Sequence, residues 1–136
     1  MNWKFIKPLQ SENLINEFEN FAGYKFCESF KTCVINFNGG RPEKKIFYVN
    51  ESEPFHEKVI KTFLSFNKDS KESIWRATEW DNPEQSKIYV PFAIDNFGNL
   101  ICFNKQNNSV VFIDLDRDKV YTVANNFDSF MESLVE

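Results

Sequence analysis

The last third of the chain constrains the fold most. Apolar runs at Ile88–Ile94, Leu100–Phe103, Val110–Ile113 and Val120–Ala124 alternate with polar turns. Short apolar runs recurring about every ten residues predict an antiparallel meander. In the first of its turns Asp95 stands at position i and Gly98 at i+3. That is the pattern of a type I turn followed by a left-handed residue, which closes a hairpin with a bulge. The two strands it joins are apolar at nearly every position, so both of their faces are expected to be buried.

Upstream the apolar period changes from two to that of a helix. Ser11 is the expected N-cap of a first helix carrying Leu14, Ile15, Phe18, Phe21 and Ala22, with Gly23 as its stop. A second helix is predicted from about Cys27 to Asn36, with Phe26, Phe30, Val34 and Phe37 at helical spacing. Asn38-Gly39-Gly40 and Pro42 end it. Lys45–Val49 is β-branched and aromatic and reads as a strand, whereas His56–Phe66 satisfies both a helical stripe and strand composition. Asp69-Ser70 is placed to cap a third helix, Lys71–Trp80, with Ile74, Ala77 and Thr78 on one side and Asn82-Pro83 as its end. Asn125 or Asn126 caps a short C-terminal helix bearing Phe127, Phe130 and Leu134. The expected class is α+β: a mainly antiparallel sheet with a C-terminal meander, flanked by an N-terminal helix pair, a middle helix and a short C-terminal helix.

A length of 136 residues suits one domain, 1–136. Sixteen Phe and three Trp predict an aromatic core with some rings left for a binding surface. The net charge of -4 and the lack of any Lys/Arg run argue against direct nucleic-acid binding, which needs a basic stripe. The widest basic cluster is the short Arg41, Lys44, Lys45. Three cysteines without a paired motif point away from a disulfide framework and towards a reducing compartment. No apolar h-region follows Met1 and no run approaches the ~20 residues that span a bilayer, so the cytoplasm is the expected address and no membrane partner is expected.

Candidate chemistry fails on spacing. A calcium loop starting at Asp95 would need Gly at position 6, and Gly98 is at position 4. The run Asp114-Leu115-Asp116-Arg117-Asp118 starts like such a loop, but Lys119 holds position 6 and Asn125 position 12. It reads as an acidic hairpin turn, a negative patch that a basic partner can meet. His56 stands alone, so sites needing two His ligands are excluded. Cys27 and Cys33 fall in a predicted helix and Cys102 in a strand, the setting of inert thiols. Glu79 and Asp81 flank Trp80 at a helix end and read as solvated acids rather than an acid/base pair. No enzyme activity, metal or cofactor is expected.

The order of these segments carries a resemblance. Asn38-Gly39-Gly40-Arg41-Pro42 is followed by Phe63-Leu64-Ser65-Phe66-Asn67, Ile74-Trp75, Glu79-Trp80, the stretch Val90–Phe103, Val110–Asp114 and the Phe127–Leu134 helix. Over nearly its whole length the chain resembles the SUKH superfamily, the Smi/Knr-type proteins of bacterial immunity. The resemblance implies an α+β fold and tips His56–Phe66 towards strand. It also implies an immunity protein that binds a cognate polymorphic toxin, often a nuclease, inside the producing cell. The alternative it implies is a regulatory interaction module without a toxin. It supplies no catalytic residue. Against a toxin with a basic nuclease cleft, the candidate contacts are Glu79, Asp81 and Glu84 together with Asp114, Asp116 and Asp118, with Trp80 and Phe97 as aromatic anchors.

Overall fold

A computed structural model describes residues 1–49, 56–80 and 82–136. Strands β1 (Trp3–Lys4) and β2 (Arg41–Pro42) pair as a small antiparallel ribbon. Helices α1 (Asn13–Ala22) and α2 (Glu28–Phe37) lie between them in sequence. Strands β3 (Ile46–Tyr48), β4 (Glu57–Phe63), β5 (Tyr89–Asp95), β6 (Leu100–Asn104), β7 (Val110–Asp114) and β8 (Lys119–Ala124) form one antiparallel sheet in the order of the sequence. Between β4 and β5 come two four-residue helices, α3 (Ile74–Ala77) and α4 (Pro83–Ser86), and α5 (Phe127–Ser133) closes the chain. The expected α+β class and meander are observed, and the ambiguous segment is strand β4. Among the described residues no helix is long and apolar enough to cross a membrane.

Side-chain alternation assigns the two faces of the sheet. Ile101, Phe103, Val110 and Phe112 point into the main core, while Leu100, Cys102, Val111 and Ile113 form a smaller cluster on the opposite face. Phe92 and Phe103 stack at 4.5 Å between ring centroids, and Phe30 of α2 and Phe127 of α5 meet them edge-on or tilted. These offset and edge arrangements suit the ring quadrupole, so one aromatic mass joins four elements, α2, β5, β6 and α5. Pro91 sits in a central strand, beside the bulge that shifts the β5–β6 register, where a missing N–H is tolerated.

Several expectations are corrected. The N-cap of α1 is Glu12, although the Ser11 Oγ accepts the Asn13 N–H at 3.2 Å just ahead of it. Phe21 is 65% exposed, because Ile15 and Phe18 already define the buried stripe and Phe21 lies at its edge. The middle helix does not start at Lys71. Ser65 pairs with Ser73 in a parallel bridge, with the Ser65 N–H donating to the Glu72 carbonyl and the Ile74 N–H to the Ser65 carbonyl. This ladder holds Ser73 extended, so Ser73 rather than Asp69 or Ser70 caps a helix of one turn. Asn82-Pro83 starts α4 instead of merely ending a helix: Asn82 Oδ1 accepts the Gln85 N–H and Pro83 takes the first helical position. The glycine stop after α2 also fixes a close approach. Gly39 has φ +65°, and a Cβ on Gly40 would lie 2.8 Å from the Phe37 carbonyl oxygen.

Candidate functional site

The Asp95 turn is held by its own carboxylate. Asp95 is buried, and its Oδ1 accepts the N–H groups of Phe97 (2.9 Å) and Asn99 (2.8 Å). Its Oδ2 accepts the Asn99 amide, and Gly98 has φ +82°. The oxygens are thus committed to the hairpin, as the turn reading expects. Asn99 Oδ1 in turn accepts the Leu115 N–H at 3.0 Å, which locks the β5–β6 turn to the β7–β8 turn.

Asp114 is buried as well, its Oδ1 accepting the Arg117 N–H. It orders the acidic turn more than it charges the surface, whereas Asp116 and Asp118 are exposed. Asp118 has φ +52° and accepts from Gln85 of α4 at 3.4 Å. This contact draws α4, with exposed Glu84, to the same end of the sheet.

Beside these turns lies a groove of about 300 Å³. Trp80, Ile94, Leu100 and Leu115 give it apolar walls, and Glu79 and Arg76 stand on its rim. Trp80 is half-buried on the smaller apolar cluster, and its indole N–H is buried without a partner among the described residues. Glu79, Trp80, Glu84, Asp114, Asp116 and Asp118 therefore come to one end of the molecule. Phe97 is separate from the groove. Its ring is 88% exposed at the tip of the turn and lines a different concavity with Glu57 and Lys58. Asp81 lies outside the described residues. Sequence reasoning missed Leu115 and Arg76. An apolar residue inside the acidic run, Leu115, was the available signal.

Among the described residues no group of three or more His, Cys, Asp or Glu side chains could hold a metal ion. Burial pushes the Cys33 thiol up to about 12 and the Cys102 thiol well above its ordinary value. The thiolate is the nucleophile, so both are inert at neutral pH, while Cys27 is exposed. Iodoacetamide at pH 8 is expected to alkylate Cys27 alone in the folded protein and all three cysteines after unfolding, as read by intact mass. Labelling of Cys33 or Cys102 at a comparable rate would contradict this burial.

A family model described as SMI1-KNR4 cell-wall, SUKH_6, matches residues 12–131. No curated protein matches the chain. The matched span runs from the start of α1 into α5 and takes in the whole six-stranded sheet. The chain belongs to the SUKH superfamily, as a protein of the SMI1-KNR4 type.

Proposed function

We propose that the protein is an immunity protein that binds a cognate polymorphic toxin in the cytoplasm of the producing cell and blocks it without chemistry of its own. The observation that carries this reading is the apolar groove flanked by two cross-linked turns and acidic side chains, in a member of a family of interaction proteins. Glu79, Glu84, Asp116 and Asp118 face the partner, with Asp81 beside them in sequence and Asp114 ordering the turn. Trp80 and Phe97 supply aromatic contact. A nuclease toxin is the partner class these acids suit, because its substrate-binding cleft is basic and acidic groups speed the encounter. The description of the matched family as a cell-wall one favours a second reading, a regulatory interaction module with no toxin.

A toxin-domain reading frame next to this gene separates the two. Co-expression should then rescue growth, and the two proteins should co-purify. Replacing Glu79, Glu84, Asp116 and Asp118 with Lys together is expected to weaken that complex by about 100-fold or more, since central charge pairs dominate such interfaces. If the neighbouring toxin is neither bound nor neutralised, the immunity reading is wrong.

A further inference from the structure

At the edge of the small ribbon, a pocket of about 340 Å³ is lined by Lys4, Phe5, Arg41, Glu43, Lys45 and Lys61, over a floor of Val59 and Ile60. Its charge is opposite to that of the protein as a whole. Lys61 is paired with Glu72 at 2.6 Å, but Lys4, Arg41 and Lys45 form no ion pair among the described residues. After Glu43 and Glu72 are set against the four cations, two positive charges remain in one concavity. Pairing β1 with β2 creates this focus by placing Lys4 opposite Arg41, although they are far apart in sequence.

Two further observations mark the pocket as a binding site. The Nε of Arg41 is buried and has no hydrogen-bond partner among the described residues. Buried donors normally have an acceptor, and a planar guanidinium is suited to an oxyanion. Beside it Phe5 is held at φ +56°, a sparsely populated backbone state for an aromatic residue, with its side chain 69% exposed. The Arg41 guanidinium lies 5.2 Å from the centroid of that ring. A strained backbone that keeps an aromatic ring in water, next to unpaired cations, is the arrangement of a recognition surface.

We propose that this pocket binds a nucleoside monophosphate. Its phosphate sits among Lys4, Arg41 and Lys45, and its base rests on the face of Phe5 away from the Arg41 guanidinium. A phosphate monoester carries a charge of about -1.5 to -2 at neutral pH and so matches the residual charge of the pocket, as a single carboxylate does not. The volume lies at the small end of ligand sites, which suits a mononucleotide rather than a polymer. This site adjoins the Asp95 turn through Asn96 but uses none of the residues assigned to the toxin partner, so its test is independent of the toxin reading.

The test is calorimetric titration of the full chain with adenosine 5′-monophosphate, adenosine, inorganic phosphate and an Asp/Glu hexapeptide. The nucleotide should bind saturably and about tenfold or more tighter than adenosine, the loss expected for missing charge-assisted bonds. Phe5→Ala should weaken the nucleotide by about three- to tenfold more than it weakens phosphate, the scale of one aromatic contact. Lys45→Glu, an exposed substitution, should weaken the nucleotide and phosphate together with no change in thermal unfolding. Nucleotide binding no tighter than that of phosphate or adenosine, or unmoved by Lys45→Glu, overturns the proposal. Tighter binding of the acidic peptide also overturns it and assigns the pocket to a protein segment.

Discussion

Phe92→Ala is expected to destabilise the protein by about 3–5 kcal/mol, the range for emptying a fully buried ring site. Phe92 is 1% exposed and meets Phe30, Phe63, Phe103, Phe127 and Phe130 within 4.5 to 6.0 Å between centroids. Its neighbours come from α2, β4, β6 and α5, so no single element can shift to fill the void. With a whole-domain stability on the order of 5–15 kcal/mol, the variant should lie close to its unfolding threshold at room temperature. Urea unfolding measures this: the midpoint should fall while the m-value holds. Phe97→Ala is the matched control. Its ring is in solvent, and the effect should stay within about 0.5 kcal/mol. A loss for Phe92→Ala below about 1 kcal/mol would mean that the core collapses freely and that the ring cluster is not a fixed unit.

The second large effect is polar. Asn38 is 2% exposed, and its amide donates to the Lys7 carbonyl (2.8 Å) and the Ser65 Oγ (3.0 Å), while its Oδ1 accepts the Phe66 N–H (2.9 Å). Asn67 does similar work one step along, accepting the Gln10 N–H and donating to the Pro8 carbonyl. Together they tie residues 7–10 across the end of α2 to the segment after β4. Asn38→Ala leaves several buried groups without partners and is expected to cost about 2–4 kcal/mol, at 1–3 kcal/mol for each unsatisfied group less whatever water recovers. Asn38→Asp distinguishes packing from hydrogen bonding. It keeps the shape and the acceptor for Phe66 but loses the donor, and it brings a carboxylate up to the Lys7 carbonyl. It should therefore be at least as destabilising as Asn38→Ala at pH 7. Amide exchange at Lys7 and Gln10 should accelerate more than at the β6–β7 pair, since the lost bonds are local. Wild-type stability for Asn38→Asp would show that the amide donor is dispensable.

Asn38 also illustrates the limit of reading residues along the chain. In sequence, Asn38-Gly39-Gly40 is a helix stop, and Gly39 with φ +65° does serve as one. The asparagine itself has φ -47° and needs no left-handed tolerance. Its role is to bridge residues 31 and 28 positions away, and no local pattern encodes that. The middle helix fails for the same reason. Ile74, Ala77 and Thr78 keep helical spacing, but the pairing of Ser65 with Ser73 claims the backbone that the first turn would have used. A tertiary ladder outweighed local propensity there, as it commonly does over short segments.

The candidate surfaces divide in the same way. The acidic run 114–118 was legible because turn residues and charge are local properties. That Asp114 is buried was not, because it ends strand β7 and its exposure is set by the sheet around it rather than by the turn residues. That Leu115 and Trp80 share one groove was not legible either, since their segments meet only across the sheet. In sequence the basic cluster Arg41, Lys44, Lys45 is too short to matter. Lys4 and Lys61 join Arg41 and Lys45 only when β1, β2 and β4 come together, and Lys44 is not in that lining.

The sequence by itself determined the class of the fold, the meander, the terminal helix and the turn at Asp95–Gly98. Each depends on apolar period and turn chemistry within about ten residues, and those patterns act before any long-range contact forms. The tertiary structure decided which side chains share a surface, which acid is buried and where positive charge gathers. Those outcomes come from contacts between segments far apart in the chain, such as Tyr24 with Asn108, 84 residues on, and Asn38 with Phe66, 28 residues on. Only the assembled sheet with the elements packed on it fixes their distances.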